Sequence, residues 1–262
     1  MPESSIDEIR VRQADRVCRI EINRPEKKNS LTRPMYHAMA EAIERAEADP
    51  AVRVIFLHGR PDCFCAGNDL QEFKAVSESG EGRPEGSNPF MTVIAGAEKP
   101  MVAAVGGPAI GIGTTMLLHF DLVYAGENAR FALPFVNLGL CPEAASSFLL
   151  PRLMGHQRAA GLLLTGEPFS SARAYELGLV HKVCPDAEVI DRAYEQAGKL
   201  AQKPPAAMRL TKSLIKRHAS HEVAQIMADE LRHFNERLVS GECREALNAF
   251  LERRDPDFSA FE

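Results

Sequence analysis

The chain has 262 residues and a mass of 28.8 kDa, enough to bury one substantial core, as one domain or one domain with an appendage. Its 45% hydrophobic and 26% charged residues exclude a disordered or fibrous protein. The net charge of -5 argues against a surface for nucleic acid or anionic membranes, because phosphate binding requires an excess of Lys and Arg.

The sequence predicts neither a targeting segment nor a membrane span. The first ten residues carry Glu3, Asp7 and Glu8 and lack an apolar core, so we expect no signal or transit peptide. No uncharged apolar run reaches the length that a membrane-spanning helix requires. The six scattered cysteines do not have zinc-ligand spacing, and we expect them to be free thiols of a reducing compartment. The default location is therefore the cytoplasm.

The first half of the chain alternates between predicted strands and helices. Strand patterns cover residues 17–22, 52–58, 101–105 and 121–125. Helical periodicity covers residues 33–49, 90–98 and 114–120. This order predicts βαβ units and therefore an α/β sheet.

The remaining segments are predicted to be a loop and a helical second half. Residues 76–89 are dominated by Ser, Glu, Gly and Pro and are predicted to form a mobile surface loop. From Ala144 onward the patterns are nearly all helical. We find no internal repeat and no linker long enough to separate independent domains.

Two glycine turns follow apolar strands and could present backbone N–H groups. In the first turn, the amide of Asn68 follows Gly67; in the second, Gly111 to Gly113 begin a helix whose positive end favours an anion. Two such amides converging on one oxygen would form an oxyanion hole, although a glycine-rich turn is more often only a tight connection. A dinucleotide site is disfavoured because Met116 stands where the third glycine belongs.

Glu143 is the most distinctive acidic residue. It lies between apolar and small residues just ahead of the helix predicted to start near Ala144. A carboxylate with apolar neighbours is a candidate general base with a raised pKa. The alternative is that Glu143 simply complements the dipole of the following helix.

A basic stripe is predicted on one helix near the C-terminus. Arg209, Lys212 and Lys216 share one face, and no acidic residue occurs between Lys203 and Arg217. Such a stripe is typical of a solvated helix face, and it could also contact the phosphates of a nucleotide.

The order of the motifs resembles that of the crotonase, or enoyl-CoA hydratase/isomerase, superfamily over almost the whole chain. The matching segments are residues 23–31 (Asn-Arg-Pro-Glu-Lys-Lys-Asn-Ser-Leu), 64–70 (Phe-Cys-Ala-Gly-Asn-Asp-Leu), 99–113, Asp121 and 178–180 (Gly-Leu-Val). The resemblance implies an α/β fold with a crotonase-like ββα spiral core in residues 1–200 and a helical trimerisation region in residues 201–262. It also implies a homotrimer or a dimer of trimers.

The resemblance implies an acyl-CoA thioester as substrate and no metal or redox cofactor, since coenzyme A is part of the substrate. The two amides that stabilise the enolate would belong to Asn68 and Ile112. The surrounding substrate-binding positions would be Ala66, Gly67, Asp69, Leu70, Gly111, Thr115 and Phe135.

The residues that match the family's catalytic positions favour an isomerase over a hydratase. The two glutamates with which the hydratases activate water correspond here to Thr115 and Phe135, neither of which can act as a base. The segment from Pro134 to Glu143 is similar to the peroxisomal-type 3,2-trans-enoyl-CoA isomerases, whose catalytic glutamate matches Glu143. The expected reaction is therefore conversion of 3-enoyl-CoA to trans-2-enoyl-CoA, as in the β-oxidation of fatty acids.

Two other functions share most of these residues. A hydratase, a thioester hydrolase or another crotonase-type enzyme would use the same amides with different side chains. A non-catalytic acyl-CoA-binding scaffold would retain Gly67 and Gly111 without using Glu143.

Overall fold

The computed structural model describes residues 6–81 and 88–261 of the chain. Its strands are β1 Ile9–Ala14, β2 Val17–Ile22, β3 Val54–His58, β4 Met101–Val105, β5 Pro108–Ile110, β6 Leu122–Gly126, β7 Arg130–Ala132, β8 Phe169–Ser170 and β9 Lys182–Cys184. Its α-helices are α1 Arg33–Ala48, α2 Leu70–Ser79, α3 Pro89–Gly96, α4 Ile112–Thr115, α5 Ser146–Met154, α6 His156–Thr165, α7 Ser171–Glu176, α8 Val189–Ala201, α9 Pro205–Lys216, α10 Ser220–Leu238 and α11 Gly241–Glu252.

The larger of the two sheets in the described residues has the strand order β1-β2-β3-β4-β6-β9. The β1 strand pairs antiparallel with β2, and every later pair in this sheet is parallel. Parallel neighbours require crossover connections, which the helices between the strands supply. The α/β class predicted from the sequence is confirmed.

Both faces of this sheet are covered, and the alternating side chains of the strands therefore enter two separate apolar layers. In β3, Ile55 and Leu57 face the main core, whereas Val54 and Phe56 pack against α8 on the other face. All five β3 residues are buried. Burial on both faces explains why residues 52–58 read as an almost continuous apolar run.

A smaller sheet with the order β5-β7-β8 lies beside the larger one and gives the fold its spiral form. The chain passes from β4 in the large sheet to β5 in the small sheet and then into α4, and it repeats the two-strand step with β6 and β7. An isolated parallel bridge between Cys65 and Ala109 shows that the segment after β3 runs beside β5. The spiral turn before β4 therefore follows the same pattern. Successive turns of the spiral thus bring equivalent segments side by side.

The C-terminal helices pack on the spiral. Phe234 and Leu238 of α10 and Leu247 of α11 belong to the same buried cluster as the spiral's main core. The predicted boundary between residues 200 and 201 falls at the end of α8. The division into a core and an oligomerisation region remains a prediction.

The structure corrects three parts of the sequence interpretation. Residues 76–79 of the predicted loop form the end of α2, Pro89 starts α3, and residues 82–87 lie outside the described residues. The strands β1, β5, β7, β8 and β9 were not predicted; the last four have only two or three residues, too few to show a period. The predicted helix over residues 114–120 begins at Ile112 and is 3₁₀ from Met116 to His119.

Within the described ranges, none of the helices has the length and apolar character to cross a membrane. The same residues contain no group of three or more His, Cys, Asp or Glu side chains arranged to hold a metal ion.

Candidate active site

The two glycine turns singled out in the sequence lie side by side in the structure. The amide of Cys65 donates to the carbonyl of Pro108 at 3.0 Å, and the amide of Ile110 donates to the carbonyl of Cys65 at 2.9 Å. Residues 65–67 therefore run alongside residues 108–110. The predicted amide donors lie just after these paired segments, Asn68 after the first and Ile112 after the second.

Glycine is required in both turns for conformational reasons. Gly67 has a φ of +96° and Gly111 a φ of +56°, values that residues with a Cβ seldom adopt. A Cβ on Gly67 would also lie 3.1 Å from the carbonyl oxygen of Ile110. Ile112 is the first residue of α4, where helix amides lack an acceptor in a preceding turn. Both turns thus have a geometry suited to presenting amides.

The Asn68 segment is fixed by neighbours on α1 and on the loop before it. The Tyr36 hydroxyl of α1 donates to Oδ1 of Asn68 at 2.8 Å. The amide of Leu31 donates to the carbonyl of Gly67, and the amide of Asp69 donates to the carbonyl of Leu31. These contacts on both sides hold the main chain of Asn68 in one orientation.

Asp69, a predicted substrate-binding residue, caps α2. Its Oδ1 accepts the amides of Gln71 and Glu72, and its Oδ2 pairs with Nη1 of Arg24 at 2.7 Å. Burial raises the pKa of Asp69, but the bonds from Arg24 and the two amides outweigh it and leave the pKa below the usual value. These contacts occupy the carboxylate in holding the turn that contains Asn68.

A cavity of about 370 Å³ opens over the paired turns. Six predicted site residues line it, namely Ala66, Gly67, Asn68, Leu70, Gly111 and Phe135. The other three predicted positions on these segments, Asp69, Ile112 and Thr115, are buried and do not line it. The Thr115 hydroxyl donates to the carbonyl of Gly111 at 3.4 Å.

Glu143 lines a second, larger cavity of about 550 Å³. This cavity lies among α3, α10 and the end of α9, and its described lining is mostly apolar. Glu143 is only 4% exposed, and it is the one acidic side chain among the described residues that line either cavity. Phe234 of α10 lines both cavities and thus stands between them.

Glu143 lies within electrostatic reach of the glycine turns even though it faces the other cavity. Burial raises the pKa of the Cys65 thiol to about 12, and the charge of Glu143 is one of the contributions that raise it. Gly113 packs directly on Cys65, since a Cβ on Gly113 would lie 2.6 Å from the Cys65 carbonyl oxygen. Both predicted amide segments therefore contact Cys65, and the charge of Glu143 acts on it electrostatically.

The turn after Glu143 has an unusual backbone. Ala144 and Ala145 both have positive φ, +60° and +56°, before α5 begins at Ser146. The left-handed conformation costs a residue with a Cβ roughly 1–2 kcal/mol. A buried histidine, His119, bonds the carbonyl of Ala144 through Nε2 at 2.9 Å. Burial lowers the pKa of His119 to about 4, so the ring is neutral at pH 7.

The sequence interpretation did not identify Glu230, the buried carboxylate that meets this turn from α10. Its two oxygens accept the amides of Ala145 and Ser147 at 2.6 and 2.9 Å. Glu230 therefore occupies the start of α5, the position that the alternative interpretation gave to Glu143. One sequence signal was available: Glu230 falls between Met227 and Phe234 on the apolar stripe of α10.

The basic stripe on α9 is solvated at Arg209 but not at Lys212. Lys212 is buried, pairs with Asp121 at 2.8 Å and donates to the carbonyl of Lys99 at 2.7 Å. Lys216 lines the larger cavity, and burial lowers its pKa to about 8. The sequence could not show this, because Asp121 lies far from α9 along the chain.

The parallel sheet and its two-strand spiral turns define a spiral α/β protein. The paired glycine turns line one of its cavities, and a buried carboxylate lines the next. A family model described as enoyl-CoA hydratase/isomerase matches residues 12–260. The chain therefore belongs to the enoyl-CoA hydratase/isomerase family, and the expected crotonase fold is confirmed.

Individual relatives agree with this assignment. The chain is 35% identical over 245 residues to enoyl-CoA delta isomerase 2 of Rattus norvegicus, a match that covers 91% of this chain and 62% of the rat protein. It is 35% identical over 251 residues to 1,2-epoxyphenylacetyl-CoA isomerase of Escherichia coli K12, covering 93% and 95%. The structure of Pseudomonas aeruginosa OdaA matches with a TM-score of 0.91 and 42% identity, covering 95% and 100%.

The names of the relatives do not single out one reaction. This chain spans less than two thirds of the length of the rat isomerase. Other relatives, at 30% to 33% identity, carry hydratase names. The choice between isomerase and hydratase therefore rests on the side chains of the site.

Proposed function

We propose that this protein isomerises 3-enoyl-CoA to trans-2-enoyl-CoA. The observation that carries the proposal is the single carboxylate, Glu143, among the described residues that line the two cavities. Moving a double bond from the β,γ to the α,β position requires one base that removes an α proton and returns a proton to the γ carbon. One buried carboxylate is sufficient for both transfers if it reaches both carbons on the same face.

The amides of Asn68 and Ile112 have the complementary role in this proposal. An α proton of a thioester is too weakly acidic for a carboxylate unless the developing oxyanion is stabilised. Removing one donor from an oxyanion hole costs roughly 3 kcal/mol in comparable sites, so two donors would supply much of the required stabilisation. The thioester oxygen would bind at the amides, and electrons would move from the breaking C–H bond into a dienolate.

Hydration is less well supported because it requires a positioned water. The family's two water-activating glutamates correspond to Thr115 and Phe135. Thr115 is buried with its hydroxyl bonded to Gly111, and Phe135 adds an apolar ring to the lining of the smaller cavity. A site that is dry at this point protects a dienolate from water.

The test is a Glu143→Gln variant assayed with 3-enoyl-CoA and 2-enoyl-CoA separately. We expect the wild type to form 2-enoyl-CoA from the 3-enoyl ester, and the variant to lose roughly 10²–10⁴-fold in kcat. Its Tm and its affinity for the CoA ester should change little, because the substitution preserves the size of the side chain.

Glu195→Gln is the matched control, since Glu195 is an exposed glutamate on α8 that pairs with Lys199. It should retain full activity. Near-normal turnover in Glu143→Gln would refute the proposed role of that residue. Formation of 3-hydroxyacyl-CoA as the main product would show a hydratase instead, and binding of both esters without conversion would show a scaffold.

A further inference from the structure

We propose that Glu230 is a positioning residue that holds Glu143 in its reactive orientation from α10. The inference rests on the proposed isomerase function. Glu230 is only 7% exposed, and it lies near the middle of α10, 87 positions after Glu143 in the chain. It contacts the Glu143 segment on both sides.

The first set of contacts is with the residues after Glu143. Oε2 of Glu230 accepts the amide of Ala145 at 2.6 Å, and Oε1 accepts the amide of Ser147 at 2.9 Å. The N-cap residue of α5 is Ala145, whose side chain cannot accept a hydrogen bond. A carboxylate from another helix thus supplies the cap, with the negative charge that a helix start favours.

The second contact is with the residue two positions before Glu143. The Cys141 thiol donates to the main-chain carbonyl of Glu230 at 3.8 Å. The same residue of α10 therefore meets the chain at Cys141 through its backbone and at Ala145 through its side chain. Glu143 lies midway between these two attachment points.

The turn depends on outside contacts because its own conformation is unfavourable. Ala144 and Ala145 both occupy the left-handed region, where a Cβ meets the neighbouring carbonyl. His119 holds the carbonyl of Ala144, and Glu230 holds the amide of Ala145. When the bond to Ala145 is lost, the turn can relax and carry the Glu143 carboxylate away from the carbons it serves.

Replacing Glu230 with glutamine changes the hydrogen bonds while keeping the size of the side chain. Both carboxylate oxygens of Glu230 accept from backbone amides. Glutamine has one acceptor oxygen, and its NH₂ group would face an N–H donor. Glu230→Gln thus breaks one of the two bonds and removes the charge without creating a cavity.

We expect Glu230→Gln to lower kcat for 3-enoyl-CoA at least tenfold while KM stays within twofold of the wild type. Hydrogen–deuterium exchange of residues 141–149 should become faster in the variant, a change that requires no turnover to be seen. The control is Glu236→Gln, because Glu236 lies on the same helix in an exposed pair with Arg232. It should change neither kcat nor exchange in this segment.

A rescue experiment distinguishes positioning from general destabilisation. Glycine adopts positive φ without a Cβ penalty, so Ala145→Gly combined with Glu230→Gln should recover at least threefold in kcat. Recovery would place the loss in this turn, because a destabilisation that arises elsewhere in the fold would not respond to a glycine at position 145. If Glu230→Gln gives no folded protein, Glu230→Asp provides the same test, because it keeps the charge but is too short to reach both amides.

The proposal is overturned if folded Glu230→Gln or Glu230→Asp retains kcat within twofold of the wild type, or if the glycine rescue yields no recovery. These outcomes are distinct from failure of the proposed function. An inactive wild type, or a fully active Glu143→Gln, would refute the isomerase assignment itself. The exchange measurement would still report whether Glu230 orders the turn.

Discussion

Single residues fix the geometry of the turn that contains Asn68. Asp69 does so with a charged carboxylate. Its carboxylate accepts two amides of α2 and pairs with Arg24, and these bonds leave its pKa below the usual value. A carboxyl group whose folded pKa is lowered contributes stability at pH values above its unfolded pKa of about 4. That contribution disappears as the pH falls through the folded pKa.

We therefore expect Asp69→Asn to lower the free energy of unfolding by about 1–2 kcal/mol at neutral pH, since the charge-assisted bonds become neutral ones. Because asparagine can still cap the helix, the decrease in the free energy of unfolding measures the contribution of the charge. The difference from the wild type should shrink as the pH falls below about 4, as measured by urea denaturation at several pH values. A difference that stays constant down to acidic pH would contradict this origin.

Asp62→Asn is the control for this experiment. Asp62 pairs with Arg60 at 3.1 Å, but its side chain is 72% exposed, and exposed pairs contribute roughly 0–1 kcal/mol. The stability of this variant should follow that of the wild type over the whole pH range.

The sequence alone identified the residues whose structural role is visible from their neighbours along the chain. Gly67 and Gly111 stood out because glycine at a turn signals positive φ, and both angles are positive. Glu143 stood out because its neighbours are apolar, and it is buried. Glu230 did not stand out, because its partners are backbone amides 83 and 85 positions away, which leave no pattern around it.

At the scale of elements, α9 is joined to the sheet by one buried ion pair. Nζ of Lys212 contacts Oδ2 of Asp121, which also accepts the amide of Met101 at the start of β4. Three separate segments of the chain meet at this carboxylate. The sequence identified Asp121 and the basic stripe separately, and nothing in it indicated that they pair.

Removing one partner of this pair should destabilise the protein strongly. We expect Asp121→Asn to cost about 2 kcal/mol, below the roughly 3–5 kcal/mol of a fully buried pair because Asp121 is 30% exposed. Combining it with Lys212→Met should cost less than the sum of the two single changes, since the second change removes the unpaired charge. Urea denaturation of the four proteins measures the coupling.

The exposed Lys199–Glu195 pair on α8 supplies the control, and Glu195→Gln should change stability by less than about 0.5 kcal/mol. Additive costs for Asp121→Asn and Lys212→Met would show that the two side chains do not depend on each other.

Element prediction succeeded where the hydrophobic period was long enough to be recognised. The strands β2 and β4 have the predicted bounds, and α1 ends one residue before the predicted end. The strands β8 and β9 failed because two or three residues carry no period, and pairing with distant strands defines them.

At the scale of the whole molecule, the spiral assembles the site from distant segments. The glycine turns at residues 65–67 and 108–111 meet because successive turns of the spiral stack, with Cys65 bridging to Ala109, and the segment that carries Glu143 lines the neighbouring cavity. Local patterns predicted the individual segments. Their assembly followed only from the resemblance of the motif order, because side-by-side packing of turns has no local sequence signal.

The exposed apolar residues of α9 bear on the predicted trimer. Leu210, Leu214 and Ile215 are 61%, 44% and 76% exposed in the single chain. Apolar side chains clustered on one helix favour burial against another surface. The trimer expected from the family resemblance would cover them, and it remains a prediction.

If α9 forms the interface between subunits, light scattering should give a mass three or six times 28.8 kDa for the wild type. Leu210→Glu should then shift the mass toward that of a single chain, because a buried charge without a partner opposes association. Leu164→Glu is the matched control, since Leu164 is a 73% exposed leucine on α6. A wild-type mass of one chain would show that no oligomer forms. Equal masses for the two variants would show that α9 is not the interface.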